Sequence, residues 1–312
     1  MEAKIEQLVT ELQHRYELDG QSLGCHLEGM LYAQYLNYWD YIQLPVLLNI
    51  QACRTSYPDE VIFIVYHQIN ELYFKLILHE IQQIQSEGVH CPALMEKLRR
   101  INRYMDNLIY SFDIVTQGFS KEQFLRFRTA LAPASGFQSL QYRQIEIAST
   151  DLGNLVADPF RKAASSLPTE LAYEHLYWKQ GALSTETGKK DRTLLEFEKH
   201  FDQLLLGKIG QSATTNLNAL LRQLQPDTPE YDRIAGELRR FDQLFNIQWR
   251  LSHFKAAGRH LTIPKQDLKG TGGTNWRSYL PPRFQKIVFF PQLWPEEEIA
   301  AWGTAWLEEQ LS

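Results

Sequence analysis

Residues 59–86, with the sequence DEVIFIVYHQINELYFKLILHEIQQIQS, decide the fold of this chain. Pro58 precedes them, and Asp59 and Glu60 stand in the first turn, where acidic side chains interact favourably with the helix dipole. The stretch has helical periodicity and is apolar nearly all round. It therefore predicts a helix over about 59–86 that is buried on all sides.

Helical periodicity continues on both sides of this segment, and strand signals are scarce. A helix is predicted over about 3–18 and another over 27–50, where Pro45 should bend or break it. Further helices are predicted over about 93–117, 121–131, 137–149, 169–179, 190–208, 212–224, 229–259 and 296–311. The chain shows no repeat and no convincing linker. We therefore expect an all-α fold, a single helical-bundle domain over residues 1–312.

Composition and charge argue against several classes of protein. The 312 residues carry 32 Lys and Arg against 37 Asp and Glu, a net charge of −5. Nucleic acid and anionic membranes usually require a basic face, so neither is expected as a partner. The N-terminus has no apolar signal region, and the longest strongly apolar run, 61–66, is too short to span a bilayer. Three isolated cysteines, Cys25, Cys53 and Cys91, indicate reduced thiols in a cytoplasmic protein.

The first candidate site residue is His67, in FIVYHQINELYFK. Phe63 lies four residues earlier and shares its helix face. A histidine in an apolar helix is costly to bury without a partner. The ordinary structural interpretation is a core histidine that bonds Glu71 or the backbone. The functional interpretation is a histidine that faces a cofactor pocket.

A second candidate segment is FLRFRTALAPASGFQSLQYR, residues 124–143. Phe124, Arg128 and Leu131 share one stripe at helical spacing, and the chain breaks shortly after them. The Arg128 guanidinium could form two parallel bonds to a carboxylate. As a lone motif, however, Arg128 is more often a surface arginine and Ser135 more often a helix cap.

A third segment, NIQWRLSHFKAAGRH, places Trp249 four residues before His253 on a long helix. A single helical histidine above an aromatic side chain suits an axial heme ligand, because a neutral imidazole leaves the opposite iron position open. An exposed or capping histidine is the ordinary alternative. His260 is a rival on the same helix.

The glycine-rich segment KGTGGT, residues 269–274, follows a helix and lacks the pattern of a nucleotide-binding loop. It is either a flexible connector or a mobile lid whose Thr271 meets a ligand. Other metal chemistry is disfavoured. A di-iron bundle needs two Glu-x-x-His pairs on helices, and the one such spacing here, Glu87 to His90, lies in a turn with Gly88.

Together these segments resemble the tryptophan 2,3-dioxygenase family from about Tyr38 to Trp294, in the same order. YWDYIQLPVLLNIQ, HQINELYFK, PASGFQSLQYR, WRLSH and KGTGGT each resemble a family signature, and PASGFQS followed by KGTGGT is the most specific pair. The resemblance implies an all-α fold that encloses a b-type heme, with O2 as co-substrate. It also implies a homotetramer in which the N-terminal segment, residues 1–50, helps to close a neighbour's pocket.

The resemblance implies a role for each candidate residue. His253 resembles the iron ligand, and His67 the catalytic histidine that accepts a hydrogen bond from the indole N–H. Arg128 resembles the clamp for the substrate carboxylate, and Thr271 a loop residue that meets the ammonium and carboxylate groups. The other implied contacts are the indole walls Phe63, Phe124 and Leu131, the turn Ser135 and Gly136 beside the heme, Trp249 beneath it, and the neighbouring subunit's contribution, Tyr38 and Tyr41.

The implied activity is an oxidoreductase that inserts O2 across the indole C2=C3 bond of L-tryptophan and forms N-formylkynurenine, a step of tryptophan catabolism in the kynurenine pathway. Tyr66 and Asn70 depart from the family pattern beside His67, and the stretch between His253 and Thr271 is longer. Two alternatives therefore stand beside this activity. One is a heme monooxygenase that hydroxylates another aromatic amino acid, and the other is a non-catalytic heme sensor.

Overall fold

Helices joined by short turns make up the described chain. A computed structural model describes residues 1–33, 36–91, 93–132, 134–183, 187–263, 266–268 and 276–304. Internal contacts divide the chain into two compact units, Met1–Ala52 and Cys53–Ser312. The predicted all-α fold is confirmed. Whether the units act as a single domain stays a prediction.

The N-terminal unit contains four helices. They are α1 (Glu2–Leu18), α2 (Leu23–Tyr32), α3 (Tyr38–Tyr41) and α4 (Leu44–Leu47). The predicted helix over 27–50 is therefore not continuous, and the predicted break at Pro45 is confirmed. Gln43 adopts a left-handed conformation with φ of 52°, and Pro45 stands in the first turn of α4, so the backbone starts a new helix there.

The second unit contains fifteen helices in its described residues. They are α5 (Asp59–Glu87), α6 (Leu94–Thr116), α7 (Lys121–Leu131), α8 (Leu140–Ser149), α9 (Leu152–Leu155), α10 (Asp158–Arg161), α11 (Thr169–Glu174), α12 (Tyr177–Gly181), α13 (Arg192–Ser212), α14 (Leu217–Leu221), α15 (Pro229–Gln243), α16 (Trp249–Leu261), α17 (Trp276–Tyr279), α18 (Pro282–Gln285) and α19 (Glu296–Ala300). Two short strands, β1 (Thr262–Ile263) and β2 (Gln266–Asp267), pair antiparallel after α16. The core lies between α5, α6, α8, α13 and α15.

Helix α5 has the predicted extent, but its predicted burial on all sides is wrong. One face packs against α6 and α8. The opposite face carries five apolar side chains at helical spacing, which are 37–49% exposed: Val61, Val65, Ile69, Leu72 and Leu76. By length and composition alone α5 could also cross a membrane, and core helices commonly meet the same criteria. The expectation that membranes are not partners stays a prediction.

Several other predicted helices are shorter or interrupted. The one over 169–179 divides into α11 and α12, because the His175 carbonyl accepts from Ala157 N–H and Leu176 pairs with Val156. The one over 212–224 is reduced to α14, which the Asn216 side chain caps. The helix over 137–149 begins with a 3-10 turn at Gly136–Gln138. The predicted tail helix is described only as α19, and residues 305–312 lie outside the described residues.

The predicted long helix over 229–259 is also interrupted. Helix α15 ends at Gln243, a π-helical turn covers Leu244–Gln248, and α16 begins at Trp249. Short π-helical turns inside helices are rare and are found most often at functional sites. This turn stands immediately before the Trp249–His253 pair.

Candidate functional site

Two histidines from different helices of the second unit border one cluster of aromatic side chains, and the accessible surface around these two histidines is called the recess below. His67 lies on α5 and His253 on α16, and both keep solvent-accessible surface. Nevertheless, burial among protein atoms lowers the pKa of His67 and lowers that of His253 from 6.5 to about 4. A side chain that lines an open recess meets both conditions. The charge of His67 further lowers the pKa of His253. Both are neutral at pH 7.

A hydrogen bond sets the tautomer of His67. Its Nδ1 atom lies 2.7 Å from the carbonyl oxygen of Phe63. A carbonyl can only accept, so the ring proton is assigned to Nδ1, and Nε2 keeps an acceptor lone pair. Glu71, the other partner considered from the sequence, instead accepts from Gln141 at 2.8 Å. The predicted hydrogen bond from His67 to the backbone is therefore correct. The predicted position in the core is not, because the His67 side chain is accessible to solvent.

The structure also separates His253 from its rival His260. The His260 side chain is 2% exposed, and its Nε2 atom is 2.7 Å from the carbonyl oxygen of Val115. That nitrogen is committed to a backbone bond, whereas His253 keeps accessible surface in the recess. Of the two, His253 is the residue placed to take an external ligand.

Aromatic side chains connect and line the recess. The Phe112 ring centroid lies 5.4 Å from that of His253 and 5.9 Å from that of Tyr66, which lies 5.5 Å from His67. Trp249 packs against Phe112 at 4.7 Å. Phe112 on α6 therefore joins the two histidines through a continuous apolar wall.

Helix α7 is held beside this wall by bonds to the start of α5. Ser120 N–H donates to an Asp59 carboxylate oxygen at 2.7 Å, and Asp59 N–H donates to Gln123 Oε1 at 3.2 Å. Because the two helix starts are fixed together, Phe124 comes within 6.3 Å of Phe63, whose ring lies 4.1 Å from His67. The structure thus groups three of the predicted site residues.

Arg128 and Leu131 follow Phe124 on the same helix, and both are half-buried. Burial lowers the pKa of the Arg128 guanidinium, which still remains cationic at neutral pH. One helical turn separates Arg128 from Phe124. A cation therefore stands near the aromatic cluster, where a ligand anion could meet it.

Ser135 and Gly136 form the turn that leads into α8. Ser135 is the N-cap residue of this turn, as the structural alternative predicted, and its N–H donates to Gln138 Oε1 at 3.0 Å as one half of a capping box. A Cβ atom on Gly136 would meet no atom within 4 Å, so the turn is open on that side. Gln141, at the start of α8, donates to Glu71 one helical turn beyond His67.

Three predicted site residues lie outside the described part of the second unit. Thr271, with the glycine-rich segment 269–274, lies outside the described residues. Tyr38 and Tyr41 belong to the N-terminal unit, where they are 70% and 75% exposed. Their roles stay predictions.

Carboxylates also converge elsewhere in the described part of the chain. Oxygens of Glu174, Glu198 and Asp202 lie within 4.8 Å of one another, as metal ligands do. Lys179, which is 1% exposed, contacts Glu174 and Glu198 at 2.9 Å, and Lys190 contacts Glu174 at 2.6 Å. Since two ammonium groups already pair with these acids, the cluster is a structural charge network.

Sequence reasoning missed Phe112 and Phe127, which belong to the walls of the recess. Phe127 packs against Phe63 at 5.9 Å and against Phe124 at 5.5 Å. Phe112 continues the apolar stripe of α6 that also contains Met105. That periodicity predicts burial, but it does not show which side chains lie opposite.

The lowered pKa of His253 predicts a pH-dependent stability of the heme-free protein. The unfolded chain takes up this proton near pH 6.5, but the folded chain only near pH 4. The contribution is therefore present above pH 6.5 and lost as the pH falls toward 4, by up to about 3 kcal/mol. Urea unfolding between pH 7 and 4.5 should show a shallower pH dependence in His253→Gln than in the unaltered protein. An equal pH dependence in the two proteins would contradict the low pKa of His253 in the folded chain.

The fold and the site together define a class, an all-α protein with two neutral histidines beside one aromatic cluster. A model of the tryptophan 2,3-dioxygenase family matches residues 29–162, which include His67 and Arg128. The tryptophan 2,3-dioxygenase of Bacillus thuringiensis subsp. konkukian is 30% identical over 284 residues, 87% of this chain and 94% of the relative. That of Ruegeria sp. is 28% identical over 290 residues, 88% and 94% of the two chains. The chain belongs to the tryptophan 2,3-dioxygenase family.

Proposed function

We propose that the protein is a heme-dependent dioxygenase that inserts O2 across the indole C2=C3 bond of L-tryptophan and forms N-formylkynurenine. The family supports this activity. The observation that carries it is the grouping of His67, Phe63 and Phe124 in a recess shared with His253, with Arg128 one turn away. The same proposal places the protein in the cytoplasm and in the kynurenine pathway of tryptophan catabolism.

The residues present fit a b-type heme. Burial keeps the His253 imidazole neutral, the form that a heme iron takes as its ligand, and its accessible surface faces an aromatic recess. His253 would hold the iron, with Trp249 and Gly136 as further contacts. When bound, the heme supplies the iron that binds and activates O2. The aromatic walls exclude water around it.

The protein's own side chains would bind and orient the amino acid. The Arg128 guanidinium would pair with the carboxylate, because an uncompensated charge in an apolar recess costs several kcal/mol. Phe63 and Phe124 would hold the indole ring between them. His67 Nε2, the free acceptor of the ring, would receive the indole N–H and could take up its proton. Leu131, Ser135 and the 269–274 segment would complete the enclosure.

The test is product analysis of the reconstituted, reduced protein. With 18O2 and L-tryptophan, we expect one product that carries both oxygen atoms of the same O2 molecule, formed without a reductant after the first reduction. One incorporated oxygen, with a reductant consumed at each turnover, would instead indicate a monooxygenase. Heme binding without any product from aromatic amino acids would indicate a sensor.

We further propose a homotetramer that uses the exposed apolar surfaces of both units. Four apolar side chains of α1 share one stripe and are 37–54% exposed: Ile5, Leu8, Val9 and Leu12. The exposed stripe of α5 has the same character. Apolar surfaces of this extent mark interaction sites, and a symmetric oligomer would bury them between subunits.

Removal of residues 1–52 should therefore abolish the tetramer and most of the activity together, because the deletion also removes Tyr38 and Tyr41. Light scattering after size-exclusion chromatography would measure the mass, and product formation the activity. As a control, Leu195→Lys, which charges a single apolar residue of α13 that is 52% exposed, should remain tetrameric. A fully active truncated monomer would disprove the shared pocket.

A further inference from the structure

A buried carboxylate lies next to the π-helical turn that precedes His253. Asp242, in the last turn of α15, is 0% exposed. It accepts hydrogen bonds from Phe289 N–H at 3.0 and 3.1 Å, Phe290 N–H at 3.2 Å and Trp294 Nε1 at 3.0 Å. Asn246 Nδ2 donates to it at 2.7 Å. Burial raises the pKa of Asp242 to about 6, while these donors oppose the shift, and all of them are N–H groups from which a carboxylate accepts.

The π-helical turn controls the direction of everything after it. A π turn takes more residues than an α turn, and each residue added to a helix rotates the following side chains by about 100°. Without the π-helical turn at Leu244–Gln248, the His253 side chain would point in a different direction around the helix axis. The angular position of His253 therefore depends on this turn.

Tertiary contacts hold the turn in its unusual conformation. Leu244, Phe245, Asn246 and Ile247 are each at most 3% exposed. Phe245 stacks on Tyr142 at 4.4 Å. Asn246 reaches Asp242, whose other bonds go to the backbone and side chain of the 289–294 segment. The carboxylate thus connects the turn to a part of the fold that is distant in sequence.

We propose that Asp242 is a positioning residue whose carboxylate fixes the π-helical turn against the 289–294 segment and so sets the direction in which His253 faces the recess. The inference rests on the proposed role of His253 as the heme ligand. Groups that orient a metal ligand typically change metal affinity about 10- to 100-fold when they are removed.

The test uses the full-length, heme-loaded protein and three variants. Asp242→Asn removes the charge, Asn246→Ala breaks only the bond to the turn, and Trp294→Phe removes only a donor on the 289–294 side. Asp151→Asn is the matched control, since Asp151 likewise accepts from Arg222, Asn216 and Asn218, but on α14 and its flanks. Three properties are measured for each protein. They are the iron–histidine stretching band of the ferrous form, the rate of heme loss to an acceptor apoprotein, and the melting temperature.

We expect Asp242→Asn and Asn246→Ala to shift the band and to speed heme loss about tenfold or more. Asp151→Asn should lower the melting temperature but leave the band in place. Trp294→Phe keeps the Phe289 and Phe290 bonds to Asp242 and should therefore shift the band less than Asp242→Asn. If Asp242→Asn does not fold, Asn246→Ala decides the question. An unchanged band and rate in Asn246→Ala, or an equal shift in Asp151→Asn, would overturn the proposal. A band that persists in His253→Ala would instead overturn the heme-ligand role on which it rests.

Discussion

Replacement of His253 with alanine should remove most of the heme from the purified protein. The variant loses the neutral imidazole that faces the recess, and His260 cannot replace it because its Nε2 atom is bonded to Val115. Apolar contacts would then be the main interactions left to hold the heme, because the protein bond to the iron is lost. Heme content per subunit and the ferrous spectrum measure the effect. We expect the histidine-ligated spectrum to disappear.

Two matched variants separate this effect from general damage. His67→Ala removes the other histidine of the recess and should keep the heme while activity falls. His260→Ala removes a buried histidine of the same helix and should keep a histidine-ligated spectrum. If His260→Ala lost that spectrum and His253→Ala kept it, the ligand assignment would be wrong.

Substitution of Arg128 by leucine should abolish most of the turnover of L-tryptophan. The substrate carboxylate would lie in an apolar recess without its guanidinium partner. Loss of one member of such a charge-assisted pair costs about 2–5 kcal/mol, roughly a 30- to 5,000-fold fall in kcat/KM. Tryptamine has no carboxylate, so the unaltered protein and Arg128→Leu should turn it over equally poorly. Steady-state kinetics with the two substrates measure the difference.

Arg126 provides the control for this experiment. It lies on the same helix but is exposed, with an ion pair to Glu122 at 2.6 Å. Arg126→Leu should leave kcat/KM for L-tryptophan within about a factor of five, since surface ion pairs contribute at most about 1 kcal/mol. If Arg128→Leu behaves like Arg126→Leu, the amino-acid substrate is disproved and the sensor alternative gains support.

The fold class, the long helices and the segments that carry the site follow from local patterns along the chain. Helix α5 illustrates why. Its apolar periodicity and the acidic first turn at Asp59 act between residues three or four positions apart, so they are visible in the sequence. The same holds for the pairs Phe63 with His67 and Phe124 with Arg128, whose spacing alone assigns them to shared helix faces. The motifs around these residues carried the family resemblance.

The tertiary structure decided which of these residues meet. His260 is a rival of His253 on the same helix in the sequence, and the packing of α16 against α6 and α7 commits His260 to Val115. Asp242 resembles a solvated acid in the sequence, because its donors at 289–294 come from a segment nearly fifty residues away. The exposed stripe of α5 likewise depends on which faces α6 and α8 cover. Periodicity indicates that a side chain will be buried. It does not indicate which side chain will lie against it, because that contact comes from a segment distant in the sequence.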